Sequence, residues 1–285
     1  MTTNQADNKA DKQSANTLNV FEGETDIPRL TVILQVLFCD VNEEAGRRAR
    51  DELLLKYGES DVIFMQCDVS DAKQLTEAFQ RAVNEFRAVE ICTNNAAIMD
   101  ERVWEKMIDI NQVGVIRGSN LALEHMRRDK GGRGGVIINT ASVNGLYYGQ
   151  WMFPVYMCTK KAIVGFTTSW ANSPEQEQHG VRWGVVCPDG TATPLTEDTQ
   201  DRIYRQPQQP PADRSRWLRP ADVALAFMTL LDDDDSNGDV IKVSRDRKIE
   251  NAPVIQTVLE MDRSSNPVDS LRVKTVITTP TDATQ

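Results

Sequence analysis

Short apolar runs alternate with longer amphipathic stretches along the chain, in the order a doubly wound sheet requires. Val32–Cys39 is an apolar run interrupted only by Gln35, Asn42–Tyr57 has helical periodicity, and Val62–Met65 is a second short apolar run. A helix from about Asp71 to Phe86, a strand at Val89–Thr93 and a long helical stretch from about Glu101 to Arg128 follow. Gly131-Gly132-Arg133-Gly134-Gly135 then interrupts the pattern before a strand at Val136–Asn139. Beyond it the sequence predicts a helix following Tyr156, a strand at Val181–Val186, a helix starting near Pro220 and a last strand at Val240–Val243. Unalternated apolar strands separated by helices point to a parallel sheet covered on both faces. The expected fold is α/β: a three-layer, Rossmann-like, doubly wound parallel sheet over residues 18–247. Residues 1–17 lack any apolar cluster and read as a disordered tail, and 248–285 as an extended C-terminal tail.

Composition narrows the function classes. With 285 residues, 40% hydrophobic and 26% charged, the chain suits one large α/β domain. A net charge of −10 without a sustained Lys/Arg run argues against nucleic acid or an anionic membrane surface as partner. Apolar runs fall well short of the roughly 20 residues of a membrane span, and Met1–Thr17 lacks the apolar core of a secretory signal. Five irregularly spaced cysteines and two histidines disfavour a disulfide framework or a metal site. Cys39, Cys67, Cys92 and Cys187 sit in or beside apolar runs, where the thiol behaves as a small hydrophobe, so a reducing, cytoplasmic address is expected.

The candidate chemistry centres on Tyr156 and Lys160, four residues apart at the start of a helix and therefore on one side of it. A phenol with an ordinary pKa near 10 is a poor base at neutral pH, and a nearby ammonium favours its ionised form. Taken alone, such a pair is far more often a plain solvated helix face. Fourteen residues upstream, Ser142 follows the strand Val136–Asn139, at the end of a parallel strand where open α/β sheets bind ligands. Asn94-Asn95 follows Val89–Thr93, and Asn111 lies within an apolar helical stretch as Ile110-Asn111-Gln112-Val113, where its amide needs partners.

From about Gln35 to Lys242 this order and spacing resembles the short-chain dehydrogenase/reductase family. Cys39-Asp40-Val41-Asn42-Glu43-Glu44-Ala45-Gly46, Phe64-Met65-Gln66-Cys67-Asp68-Val69, Pro154-Val155-Tyr156 and Ile163-Val164-Gly165-Phe166-Thr167 are most similar to its NAD-dependent members acting on hydroxylated, prostaglandin-like lipids. The resemblance implies that Tyr156 is the general base, that Lys160 lowers its pKa and binds the nicotinamide ribose, that Ser142 holds the substrate oxygen, and that Asn111 holds a water in the proton relay. It also implies that Asp40 and Val41 meet the adenosine ribose, with the carboxylate selecting NAD over NADP. Asp68 and Val69 would flank the adenine, Asn95 would border the cofactor channel, and Thr191 and Thr193 would lie by the nicotinamide. The implied substrate is a small-molecule secondary alcohol or its ketone, such as a hydroxylated fatty acid, and the implied assembly is a homodimer or tetramer.

Four features depart from the family. Its Thr-Gly-x-x-x-Gly-x-Gly turn, whose backbone N–H groups and helix N-terminus hold the pyrophosphate, has no counterpart in Leu18–Leu30, which holds one glycine, three acidic residues and Pro28. The first βα unit is thus expected to be missing or degraded. Ala97 replaces a glycine after Asn94-Asn95-Ala96, and Asp189 is inserted between Pro188 and Gly190, near where cofactor phosphates would lie. Phe153 replaces a glutamine that contacts substrate in the lipid-oxidising members, removing a polar contact. Three readings follow: a dehydrogenase with impaired NAD binding, an inert relative serving as a binding or oligomerisation partner, or a chain whose first βα unit was replaced through splicing or a faulty gene model.

Overall fold

The computed structural model describes residues 35–57, 62–148, 151–197, 199–204, 214–252, 254–261 and 271–278. In chain order the elements are β1 (Val36–Asp40), α1 (Glu43–Tyr57), β2 (Val62–Gln66), α2 (Ala72–Phe86), β3 (Ile91–Asn94), α3 (Trp104–Ile108), α4 (Val115–Met126), β4 (Gly135–Thr140), α5 (Pro154–Ala171), α6 (Gln176–His179), β5 (Val181–Pro188), α7 (Pro220–Asp232), β6 (Asp239–Val243) and β7 (Ile249–Asn251). β8 (Val254–Met261) and β9 (Leu271–Thr278) complete the set.

β3, β4, β5 and β6 pair in parallel in that spatial order, and β7 adds an antiparallel edge to β6. Alternation along β4 decides which helices cover the sheet. Val136 and Ile138 pack with Val186, Ala226, Leu230 and Val243 beneath α7. Ile137 turns the other way and packs with Ala122, Leu123, Met126 and Trp183 beneath α4 and α5. The result is three layers, with β4 and β5 buried on both faces. Each such fully buried aliphatic side chain contributes about 1.5–3 kcal/mol relative to exposure.

Local sequence fixes the element ends that matter. Asp71 caps α2, its Oδ1 accepting from Lys73 N at 2.8 Å and Gln74 N at 3.1 Å, and α2 ends on Arg87 in the left-handed region, φ 66°. Ala78, Ala82 and Phe79 face inward from α2, and Phe79 meets His125 of α4 edge-on, with centroids 5.9 Å apart.

The structure differs from the sequence reading in three places. The expected single sheet is divided: β1 and β2 form a separate parallel pair. In a doubly wound sheet of order 3-2-1-4-5-6 the position between β1 and β3 belongs to the first strand, and among the described residues none fills it. The reading of Leu18–Leu30, like that of residues 1–17, falls outside the described residues. Secondly, the helix expected from Glu101 to Arg128 is broken into a 3-10 turn (Glu101–Val103), α3, a π-helical turn (Asp109–Gly114) and α4. The π turn shifts the inward face by one residue and carries Asn111 to full burial. Thirdly, the segment after Arg247 is extended as expected but paired: β7 lies on β6, and β8 and β9 form an antiparallel hairpin.

Beneath the strand ends a buried polar cluster ties four elements. Asn94 Nδ2 of β3 donates to Asn139 Oδ1 of β4 at 2.9 Å and to Ser119 Oγ of α4 at 3.1 Å, and Asn139 Nδ2 donates to Thr167 Oγ1 of α5 at 3.0 Å. Gly118 lets α4 approach this cluster, since a Cβ there would stand 2.3 Å from Asn94 Oδ1. Gly to Ala inside a helix ordinarily stabilises by about 1 kcal/mol. Here the sign reverses: Gly118→Ala is expected to destabilise by about 1–3 kcal/mol through overpacking, read as a lower urea midpoint at unchanged m-value.

Candidate functional site

The site lies where β4 and β5 end. Thr140 is the register partner of Val186, and Ala141 N–H continues the ladder to Val186 O at 2.8 Å. Ser142 follows in extended conformation and caps the turn Val143–Gly145, its Oγ accepting from Asn144 N at 3.2 Å. The same hydroxyl donates to Pro188 O at 3.3 Å, so Ser142 spans the ends of both strands. α5 begins at Pro154, whose fixed φ and missing N–H suit a first helical position. Tyr156 and Lys160 then lie one turn apart on its buried face, 5% and 2% exposed.

The Ser142 side chain lies near enough to the Tyr156 phenol to favour its ionised form. Lys160 Nζ is 5.7 Å from the centre of the Tyr156 ring and donates to Thr140 O at 3.0 Å. Phe153 stands edge-on to Tyr156, centroids 6.2 Å apart, within an apolar cluster that includes Met99, Met107, Leu195 and Ile203. Ser142, Tyr156, Lys160 and Phe153 therefore converge. Asn111 stands behind them: its Oδ1 accepts from Ile98 N and its Nδ2 donates to Ile98 O, both at 2.8 Å, and Nδ2 reaches Thr159 Oγ1 at 3.4 Å.

The electrostatics differ from the expectation of a lowered phenol. Burial pushes the Tyr156 phenol up to about 12, outweighing the opposing effect of Ser142. Burial also brings the Lys160 ammonium down to about 8, and the thiol of Cys187, in the strand beneath, up to about 12. Lys160 directs its hydrogen bond to the Thr140 carbonyl rather than to the phenol, so desolvation is the larger effect on both groups.

The remaining expected positions line the same end of the strands. Asp40, buried at the end of β1, accepts from Asn42 N at 2.8 Å. Val41 O takes a bond from Gln66 Nε2 at 3.0 Å. Asp68 Oδ1 accepts from Ser70 N at 2.9 Å and Ser70 Oγ at 2.6 Å, and Val69 packs against Gly114. Asn95 Oδ1 accepts from Thr140 Oγ1 at 2.9 Å. Thr191 and Thr193 follow β5, with Thr191 Oγ1 donating to Asp189 O at 2.9 Å and Thr193 capping the turn Pro194–Thr196. The inserted Asp189 carboxylate is held by Gly190 N at 2.6 Å and Arg245 Nε at 3.0 Å.

Two residues escaped the sequence reading. Cys187 lies under the cluster, and its only signal was an apolar strand. Glu101, 5% exposed, accepts from Tyr156 N at 2.9 Å and Val155 N at 3.2 Å. Within Asp100-Glu101-Arg102 it resembles a solvated charged turn. Among the described residues no group of three or more His, Cys, Asp or Glu could hold a metal ion, and no helix is long and apolar enough to cross a membrane.

Comparison with known proteins gives a consistent picture. Residues 33–203 match the short chain dehydrogenase family. The chain is 34% identical over 222 residues to 15-hydroxyprostaglandin dehydrogenase (NAD(+)) of Mus musculus, covering 75% of this chain and 82% of that one. It is 35% identical over 167 residues to 3beta-hydroxysteroid dehydrogenase 2 of Eggerthella lenta, covering 55% and 61%. Among solved structures, levodione reductase superposes with a TM-score of 0.64 at 23% identity, covering 74% of this chain and 86% of that one. A Burkholderia phymatum short chain dehydrogenase in complex with NAD gives 0.60 at 23% identity, covering 71% and 78%.

The raised phenol has two measurable consequences. Alkaline titration of tyrosinate absorbance, taken as the difference between the protein and Tyr156→Phe, should show a midpoint near 12; a midpoint near 10 would contradict the buried site. Because the folded pKa lies above the ordinary value of 10, the stabilisation is complete below pH 10 and is lost as pH rises towards 12. Tyr156→Phe should lose stability less steeply over that window.

Proposed function

The chain belongs to the short-chain dehydrogenase family, and from that premise we propose that it oxidises a secondary alcohol on an apolar, lipid-like small molecule, or reduces the matching ketone, using NAD held weakly. The observation that carries this reading is the convergence of Ser142, Tyr156 and Lys160 in a buried cluster at the ends of β4 and β5. When bound, NAD supplies the hydride acceptor or donor. Tyr156 exchanges the proton of the substrate hydroxyl at its Oη, and Ser142 Oγ holds the same oxygen. Lys160, held by Thr140 O, provides the positive charge that a phenolate would need. Phe153 stands against Tyr156 in an apolar cluster backed by Met99 and Met107, which favours hydrocarbon flanking the alcohol carbon, as in a hydroxylated fatty acid. Self-association as a dimer or tetramer belongs to the same reading.

The residues suit NAD at its two ends and not at its middle. Asp40 lies at the end of β1, Asp68 and Val69 after β2, and Asn95 after β3, where adenosine would lie. A pyrophosphate needs an open helix N-terminus, but those at this end of the described fold carry acids. Glu43 and Glu44 stand in the first turn of α1, Asp71 caps α2, Asp100 caps the turn before α3 and Glu101 caps α5. The same acids favour a second reading, an inert relative that serves as a binding or oligomerisation partner.

Calorimetric titration separates the two. Losing two charge-assisted donors at about 1.5–3 kcal/mol each weakens binding by more than about a hundredfold. The dehydrogenase reading expects a millimolar dissociation constant that Asp40→Ala weakens further. At high NAD it also expects alcohol oxidation that Tyr156→Phe lowers by about 100-fold or more. Absence of heat and of turnover at high NAD would leave the inert reading, and micromolar binding abolished by Asp40→Ala would refute impaired affinity.

A further inference from the structure

The first turn of α5 leaves N–H groups without partners inside the helix. Pro154 has none to offer, and Phe153, the residue before it, supplies no side-chain cap. The N–H groups of Val155 and Tyr156 are taken instead by Glu101, from a turn more than fifty residues earlier in the chain. Its Oε2 accepts from Val155 at 3.2 Å and its Oε1 from Tyr156 at 2.9 Å. Both oxygens of one buried carboxylate thus close the positive end of an 18-residue helix, where a negative charge is stabilised and its hydrogen bonds are charge-assisted.

The turn that carries Glu101 is itself fixed. Glu101 N–H donates to Arg202 O at 2.7 Å, and Asp100 caps the turn through Arg102 N at 3.0 Å while gripping the Arg102 guanidinium at 2.7 and 2.9 Å. Ile203, next along from Arg202, packs with Tyr156, and Tyr204 N–H donates to Met152 O at 2.8 Å. Glu101 therefore joins three segments that meet around Tyr156: the turn before α3, the start of α5 and Thr199–Tyr204. On the other side of the Tyr156 peptide, Thr159 Oγ1 donates to Tyr156 O at 2.7 Å and meets Asn111 Nδ2 at 3.4 Å. The backbone of Tyr156 is clamped at its N–H by Glu101 and at its carbonyl by Thr159.

We propose that Glu101 is a positioning residue for Tyr156, acting through the backbone N–H of that residue rather than through its phenol. The carboxylate fixes where the Tyr156 Cα stands and keeps the first turn of α5 closed over the ring, and the hydroxyl thereby meets Ser142. Displacement of a reacting group by about 1 Å can cost about a hundredfold in rate, so this anchor matters to the chemistry as well as to the helix. The kinetic part rests on the dehydrogenase reading, whereas the anchoring does not.

The test compares Glu101→Ala, Glu101→Gln and, as a control, Glu105→Ala, an exposed acid on α3. Each is paired with the same variant carrying Tyr156→Phe, so the Tyr156 phenol titration is read by difference without cofactor or turnover. Glu101→Ala should open the first turn to water and move the midpoint from about 12 towards about 10. Glu101→Gln, whose amide oxygen still accepts a hydrogen bond, should restore most of that shift, and Glu105→Ala should move nothing. Should Glu101→Ala fail to fold, Glu101→Asp, one methylene shorter, is read in the same way. With NAD and an alcohol that turns over, Glu101→Ala should lower kcat by about tenfold or more and leave KM nearly unchanged. Turnover absent from every variant and from the parent protein would sink the dehydrogenase reading and leave the titration to judge Glu101. A folded Glu101→Ala or Glu101→Asp with an unmoved Tyr156 midpoint would make Glu101 an ordinary helix cap and overturn the proposal.

Discussion

Thr140 stands opposite Val186 in the ladder between β4 and β5, and that register determines what can meet at the strand ends. A slip of one residue in a parallel pair turns every side chain to the other face. Ser142 would then leave Pro188 O, and Val136 and Ile138 would exchange their packing against α7 for the opposite layer. The chemistry and the core are therefore fixed by one pairing. Asn94, Ser119, Asn139 and Thr167 add a directional constraint that apolar packing lacks, because hydrogen bonds in a dry interior tolerate little displacement.

Burial is the common cause behind the unusual proton equilibria. Tyr156, Lys160 and Cys187 share a site from which water is largely excluded, and each is pushed towards its neutral form. The Thr140 carbonyl offsets part of that cost for Lys160, and Ser142 does so for Tyr156.

Much of this was legible in the sequence. The six parallel strands fall close to the apolar runs that predicted them: Val136–Asn139 lies within Gly135–Thr140, and Val181–Val186 within Val181–Pro188. Ser142, Tyr156, Lys160 and Phe153 do meet, because strand ends and helix starts are local features that spacing encodes. What the sequence concealed was long-range or subtle. The π turn at Asp109–Gly114 leaves no composition signal, and Glu101 acts on residues 54 and 55 positions away. Division of the sheet was not legible, since the apolar runs pointed to one sheet, whereas among the described residues no strand lies between β1 and β3. Direction of the Tyr156 shift could not be read from a Tyr–Lys spacing, since it depends on how much water burial removes.

The pair β1–β2 also has a dynamic meaning. With α1 it forms a small unit in which, among the described residues, buried groups are few, chiefly Phe38, Asp40 and Cys67, and Leu55 is 89% exposed. It is tied to the larger sheet through α2, through Val69 against Gly114, and through Arg117 Nη1 donating to Ser70 O at 2.9 Å. A unit with so little apolar burial opens at a smaller free energy than the core around β4 and β5. Its amides should therefore exchange hydrogen sooner, by a sub-global opening that leaves the Ser142–Tyr156 end closed. Since Asp40 and Asp68 ride on that unit, any ligand they hold is bound only by the closed fraction of molecules. The apparent affinity is scaled down by that fraction even where every contact is intact.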